Sequence, residues 1–176
     1  GKRLRVSLSA NPSHLEAVDP IVLGRVRGKQ RLRADTKDRK SVVPILIHGD
    51  AAVIGQGLVA EMINMAGLDG YTVGGSVHVV TNNLLGFTTV PRDGRTSEYC
   101  TDGAKMVGSP VLHVNGEDPD ACVAAARIAA DYRQQFGKDI WVDVWCFRKY
   151  GHNETDEPGF TPVSYTHLTL PTNREV

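Results

Sequence analysis

Cysteine is scarce in this 176-residue chain, and the three present, Cys100, Cys122 and Cys146, are odd in number and widely spaced. They form no C-x-x-C pair, which argues against a disulfide framework or a cysteine zinc site and for a reducing compartment. No apolar run approaches the length of a bilayer-spanning helix, and no secretory pattern opens the chain. Net charge is absent as well, with 20 Lys plus Arg against 20 Asp plus Glu, so charge predicts neither a nucleic-acid nor a membrane partner. The most basic stretch, residues 25–40, lacks interleaved aromatics and any nucleic-acid motif, and reads as a solvated helix face and linker. Gly55-x-Gly57 lacks the further glycine of a dinucleotide-binding fingerprint. An initiating Met is missing too, so the chain is expected to be a piece of something longer. What is present is 41% hydrophobic and 23% charged residues, the composition of a globular domain with a real core.

The order of patterns along the chain is alternating. Residues 5–9 read as a short strand. Ser13-His14-Leu15-Glu16 has the Ser-x-x-Glu spacing of a helix capping box, ahead of a helix over 20–32 and a charged linker over 33–41. A strand over 42–47 leads through a Gly-bearing turn to a helix over 56–66, with Val59, Met62, Ile63 and Ala66 at helical spacing. A strand over 76–81, a long polar loop over 86–100 and a short helix over 102–107 follow. The chain then reads as strand 111–114, helix 119–136 and strand 140–147. Such alternation predicts an α/β fold, a mainly parallel doubly wound sheet with flanking helices. Ligands of such sheets bind beyond the carboxyl ends of the strands, where Asp50, Asn83, Asn115 and Arg148 all fall.

Two segments at those ends carry the chemistry. Gly49-Asp50-Ala51-Ala52 closes the 42–47 strand and Asn82-Asn83 closes the 76–81 strand. Each dipeptide alone, Gly-Asp or Asn-Asn, would read as a turn or a loop. Placed after two buried strands, a carboxylate and an amide can put two hard oxygens on one small cation. Mg²⁺ takes such sites, with few protein oxygens and the remaining positions left to water and substrate phosphate.

Thiamine-diphosphate enzymes carry a motif that begins Gly-Asp-Gly and ends in Asn-Asn, and this chain resembles it with Ala51 at the second glycine. The resemblance extends to Asn11-Pro12-Ser13-His14-Leu15-Glu16, His48-Gly49-Asp50-Ala51-Ala52, Asn82-Asn83 with Gly86-Phe87-Thr88-Thr89, Tyr99-Cys100-Thr101-Asp102, and Gly151-His152-Asn153-Glu154. In these segments it is similar to the E1 component of the 2-oxoglutarate dehydrogenase complex, from about residue 6 to residue 162. The resemblance implies the diphosphate-binding half of a thiamine-diphosphate fold. Asp50 and Asn83 would bind Mg²⁺ by side chain and Leu85 by its carbonyl, with Ala51 and Ala52 beside the cofactor. It implies thiamine diphosphate and Mg²⁺ as cofactors, 2-oxoglutarate as substrate, a lipoyl-bearing E2 partner and a homodimer for the intact protein. The alternatives are the same chemistry on 2-oxoadipate, or a diphosphate–Mg²⁺ binding fragment without catalysis.

Three further residues follow from the resemblance. It places His14 near the bound 2-oxo acid, where an imidazole can donate to a carboxylate or a developing oxyanion; the rival is a helix-start histidine bonded to backbone. It places Arg148 and His152 against the diphosphate, where a guanidinium can bridge phosphate oxygens; the rival is a solvated loop. Among the other histidines, His48 reads as a strand-end cap, and His78 and His113 as satisfied residues of apolar strands. Residues 163–176 match nothing in the family and are expected to be a non-native, adapter-like tail, leaving 1–162 as the domain fragment. The family's aminopyrimidine-binding domain, with its activating glutamate, has no counterpart in the chain.

Overall fold

The computed structural model describes residues 4–157; the expected tail lies outside them. In chain order the elements are α1 (Asp19–Leu32), β1 (Ile45–Gly49), α2 (Asp50–Gly55), α3 (Gly57–Met65), β2 (Val77–Asn82), α4 (Pro91–Gly94), a 3₁₀ turn (Asp102–Val107), β3 (Val111–Asn115), α5 (Pro119–Phe136) and β4 (Ile140–Trp145). The four strands form one sheet in the order β1-β2-β4-β3, and every pairing is parallel. This is the doubly wound α/β arrangement expected from the alternation.

Connection handedness explains which helix covers which face. The chain moves from β1 to β2 through α2 and α3, then returns from β3 to β4 in the opposite direction through α5. Right-handed crossovers put helices of opposite travel on opposite faces. Val53, Val59, Ile63, Cys100 and Ala104 accordingly pack on Val80 and Trp141, on one face. Ala125 and Ala129 of α5 pack on Val77, Val114, Ile140 and Val142, on the other. Strand periodicity of two sorts those positions. The α5 layer stops short of β1, whose Ile45 and Ile47 stay 60% and 69% exposed.

Helix α5 is bounded as its sequence dictates. Asp118 caps it by accepting from the Ala121 N–H (3.0 Å), and Gly137 ends it in the left-handed region at φ 62. Gly75 has a different reason to be glycine: at φ 84, an added Cβ would lie 2.3 Å from the Lys138 carbonyl oxygen. The chain can turn into β2 beneath the start of β4 only without a side chain there.

Several boundaries differ from the sequence expectation. Residues 5–9 form no strand; their apolar side chains are exposed, and no neighbouring strand pairs with them among the described residues. The Ser13–Glu16 capping box does not form. Helix α1 starts at Asp19 with Pro20 in its first turn and no side-chain cap. Glu16 instead has φ 68 and sends its carboxylate into the interior. A buried imidazole competes for that carboxylate better than an exposed backbone N–H does. β1 begins at Ile45, after Pro44, and β4 ends at Trp145. The 86–100 loop is partly ordered by a tight turn, in which Gly86 and Thr89 exchange backbone bonds of 2.8 and 2.9 Å, and by α4.

Candidate active site

Because the strands are parallel, their carboxyl ends share one edge, and the cleft lies there. It has a volume of about 220 Å³ and is lined by Asp50, Ala51, Leu84, Leu85, Gly86 and Arg95 among others. Asp50 directly follows β1 as the first residue of α2, and its side chain is buried. Burial pushes its carboxyl up to about 6, against the opposing pull of Arg95 and of the backbone N–H groups of Asp50 and Asn83. Arg95 Nη1 stands 3.9 Å from Asp50 Oδ2, a loose ion pair that leaves the carboxylate free to take a cation.

The turn after β2 is shaped by its two asparagines. Asn82 Oδ1 accepts from the Leu84 N–H (3.1 Å), and Asn83 Oδ1 accepts from the Leu85 N–H (3.2 Å). These are Asx turns, which let a side chain stand in for the backbone. They hold Leu84 at φ 59 and bury Leu85. A leucine in the left-handed region is strained, and such strain clusters at ligand-binding loops. Asn83 Oδ1 keeps a second lone pair, and Asn83 itself is not among the residues lining the cleft. Asn82 is locked from below: its Nδ2 donates to Asp143 Oδ1 (3.0 Å). Asp143 is fully buried and also accepts from His113 Nδ1 (2.9 Å) and Trp145 Nε1 (2.8 Å).

Three buried donors near this edge lack hydrogen-bond partners: Arg95 Nε, Ser97 Oγ and Arg148 Nη1. Buried polar atoms are rarely left so, and a donor set of this kind suits an anion such as a phosphate group. Arg148 is half-buried just past β4. His152 is exposed, with its ring 4.9 Å from that of Phe87, next to Gly86 of the cleft. Ala51 lines the cleft; Ala52 is half-buried and does not.

His14 has an exposed ring, and its carbonyl accepts from the Ala17 N–H (3.3 Å). The segment is nonetheless tied to the site's strand. Two residues on, Glu16 Oε2 lies 2.5 Å from His48 Nδ1, and His48 directly precedes Gly49-Asp50. His48 is therefore a buried junction rather than a strand-end cap. Its Nε2 meets His78 Nδ1 at 2.9 Å, and the His78 ring stacks on Trp141 at 4.0 Å. His78 and His113 are satisfied sheet residues, as their strand context predicts. The sequence reading missed Arg95, Glu16 and Asp143. Arg95 had the weakest signal, one cation in a polar loop; Asp143, a lone acid inside an apolar strand, had a better one.

Comparison with known proteins shows which family the chain belongs to. The chain is 55% identical over 163 residues to a protein of Mycobacterium sp. (strain JLS) named multifunctional 2-oxoglutarate metabolism enzyme, covering 92% of this chain and 13% of that one. A protein of the same name from Mycolicibacterium vanbaalenii is 56% identical over 163 residues, with 91% and 13% covered. The chain thus spans about 13% of the length of the curated relatives it matches. No helix among the described residues is long and apolar enough to cross a membrane. The family model described as dehydrogenase E1 component, a family of thiamine-diphosphate enzymes, matches residues 2–167, and the chain belongs to that family.

Proposed function

We propose that the intact protein is the E1 component of a 2-oxoglutarate dehydrogenase, a thiamine-diphosphate- and Mg²⁺-dependent enzyme. It decarboxylates 2-oxoglutarate oxidatively and passes the succinyl unit to a lipoyl group of an E2 partner. The observation that carries this reading is the buried Asp50 at the end of β1, which lines one cleft with Leu84 and Leu85 of the turn that the Asn83 side chain shapes. The relatives' name favours 2-oxoglutarate over 2-oxoadipate. A homodimer in a bacterial cytoplasm completes the proposal.

Each residue has a defined task. The Asp50 carboxylate, the Asn83 amide oxygen and the Leu85 carbonyl would hold Mg²⁺, leaving its other positions to diphosphate and water. Ala51 and Ala52 keep the first turn of α2 narrow enough for the cofactor to approach. The unpaired Arg148 Nη1 would donate to a phosphate oxygen, with His152 beside it. Bound thiamine diphosphate supplies the electron sink that decarboxylation of a 2-oxo acid requires. His14 would donate a proton or hydrogen bond to the substrate, on the segment that Glu16 fastens to His48.

Two results are expected. His14→Ala in the intact protein should slow single-turnover decarboxylation by about 10²-fold or more and leave cofactor affinity nearly unchanged. Calorimetry and rapid quench check this side by side, and a collapse of affinity with normal decarboxylation would remove His14 from the substrate side. The 176-residue chain alone should show no 2-oxoglutarate-dependent reduction of an artificial acceptor, because it holds the diphosphate clamp without the aminopyrimidine-binding domain. Turnover close to that of an intact E1 would overturn the division of labour proposed here.

A further inference from the structure

Below the cleft, a second set of ligand-bearing side chains is left unused by the proposed function. Glu16, Asp19 and His48 present one ligand atom each, all within 4.8 Å of one another. The residues are 8%, 3% and 2% exposed. His48 Nδ1 is 2.5 Å from Glu16 Oε2, a hydrogen bond, and 3.4 Å from Asp19 Oδ2, which is not one. Asp19 Oδ2 is aimed at the imidazole yet is buried with no hydrogen-bond partner. A buried acceptor left without a donor is costly, and more so when it is charged. Among the described residues no Lys or Arg pairs with either carboxylate. Two acids and one imidazole therefore meet in a dry interior, where burial and the neighbouring Glu16 push the Asp19 carboxyl up to about 8, so that the pair holds a proton at neutral pH.

We propose that Glu16, Asp19 and His48 form a second metal site, which takes one divalent transition ion of the Zn²⁺ or Mn²⁺ class. One imidazole nitrogen and two carboxylate oxygens are the donors such ions take. The nitrogen separates this site from the all-oxygen, Mg²⁺-type arrangement at Asp50. His48 is already held as metal-bound histidines are. When an ion displaces the proton now held between Nδ1 and Glu16, a proton on Nε2 can donate to His78 Nδ1, 2.9 Å away, and Nδ1 becomes the ligand. His78 Nε2 in turn faces Asp139 Oδ2 at 3.9 Å. Such outer partners fix the tautomer and orientation of a ligating imidazole.

The required movement is small. Ligand atoms around a four-coordinate zinc, with bonds of ~2.0–2.1 Å, stand roughly 3.3 Å apart. Asp19 is already at about that distance from His48, and Glu16 has to withdraw by less than ~1 Å. Glu16 lies in the irregular turn before α1 at φ 68, outside any helix or strand, where such a shift is easily absorbed. A bound ion would displace the proton held by the two acids and pin the His14 segment to the end of β1. The inference rests on this geometry and stands or falls separately from the function proposed above.

The experiment uses intact protein carrying Asp50→Ala, so that the cleft no longer holds a metal ion. It is stripped with chelator, titrated with Zn²⁺, and compared with the same protein carrying Asp19→Asn in addition. Asp19→Asn keeps the side chain's shape and replaces the ligating carboxyl group with a neutral amide, so misfolding does not imitate loss of the site. The expected result is one fewer tightly bound Zn²⁺ per chain, or at least 100-fold weaker binding of that ion, in the double variant. Replacing Zn²⁺ with Co²⁺ should give a visible absorption band that is lost along with it. Equal Zn²⁺ stoichiometry and affinity in the two proteins overturns the site. Mg²⁺-dependent cofactor binding in protein with Asp50 intact, measured in parallel, tests the cleft on its own.

Discussion

Asp50→Ala in the intact protein is expected to abolish Mg²⁺-dependent binding of thiamine diphosphate and to lower turnover by about 10³-fold or more at any practical cofactor concentration. The side chain is buried, faces the cleft and is the only anionic ligand in the proposed set. Asp69→Ala, on an exposed loop, is the matched control and should be nearly silent. Full activity of the Asp50 variant would end the metal assignment. A pH dependence follows from the same burial. With the Asp50 carboxyl raised to about 6, a metal ion must displace a proton below that pH. Cofactor affinity in the presence of Mg²⁺ should then fall about tenfold per pH unit below 6 and be flat above it. In metal-free protein the sign reverses. An acid whose folded value lies above its ordinary 3.8 makes the fold bind more protons than the unfolded chain, so stability declines as pH rises from 3.8 to 6. The span corresponds to about 3 kcal/mol as an order of magnitude. Asp50→Asn should remove this dependence, leaving metal-free variant protein more stable than the native sequence at pH 7. Urea unfolding with chelator at several pH values measures it.

The second large effect is on stability. Arg133→Ala should destabilise the fold by about 3 kcal/mol or more. Arg133 lies fully buried on α5, with Nε donating to the Gly75 carbonyl (3.0 Å) and Nη2 to those of Arg39 (2.8 Å), Val42 (3.3 Å) and Val73 (2.9 Å). Gln30 of α1 donates through Nε2 to the same Arg39, Val42 and Val73 carbonyls. Two side chains thus satisfy the backbone of the connections into β1 and β2, which has no strand partner to bond. Removing the guanidinium leaves carbonyls buried and part-satisfied. Lysine should rescue little, because a single ammonium cannot reproduce a planar fork. Urea denaturation decides it, and a loss below about 1 kcal/mol would show that water takes over the carbonyls.

The parallel sheet was legible because each strand is a short apolar run flanked by turn residues and separated by a helical period. The edge that carries the candidate site was legible because Asp50 and Asn83 both sit where such a strand stops. The interior polar groups were harder to read. Glu16 carries the spacing of a capping box, and only the three-dimensional approach of His48 shows that its carboxylate points inward. Arg133 sits on a helix whose period marks it as one more polar position, and the four carbonyls it meets come from segments distant in sequence. Local pattern sees alternation and caps; it does not see which long-range partner outbids them. Arg95 was missed for the same reason, since its value lies in facing Asp50 across a loop of no regular pattern.

The uncovered flank of β1 bears on how the chain behaves as a material. Its outer edge has no strand neighbour among the described residues, and Ile45 and Ile47 lie bare on the side that α5 does not reach. Neither charge nor bulge interrupts Ile45–Gly49, the devices by which natural edges discourage strand addition. Expressed alone, the chain offers a ready template for another copy, and its light scattering should climb steeply with concentration while its circular dichroism stays that of an α/β protein. Colloidal instability, more than loss of folding, would then set the limit on handling this segment outside the larger protein.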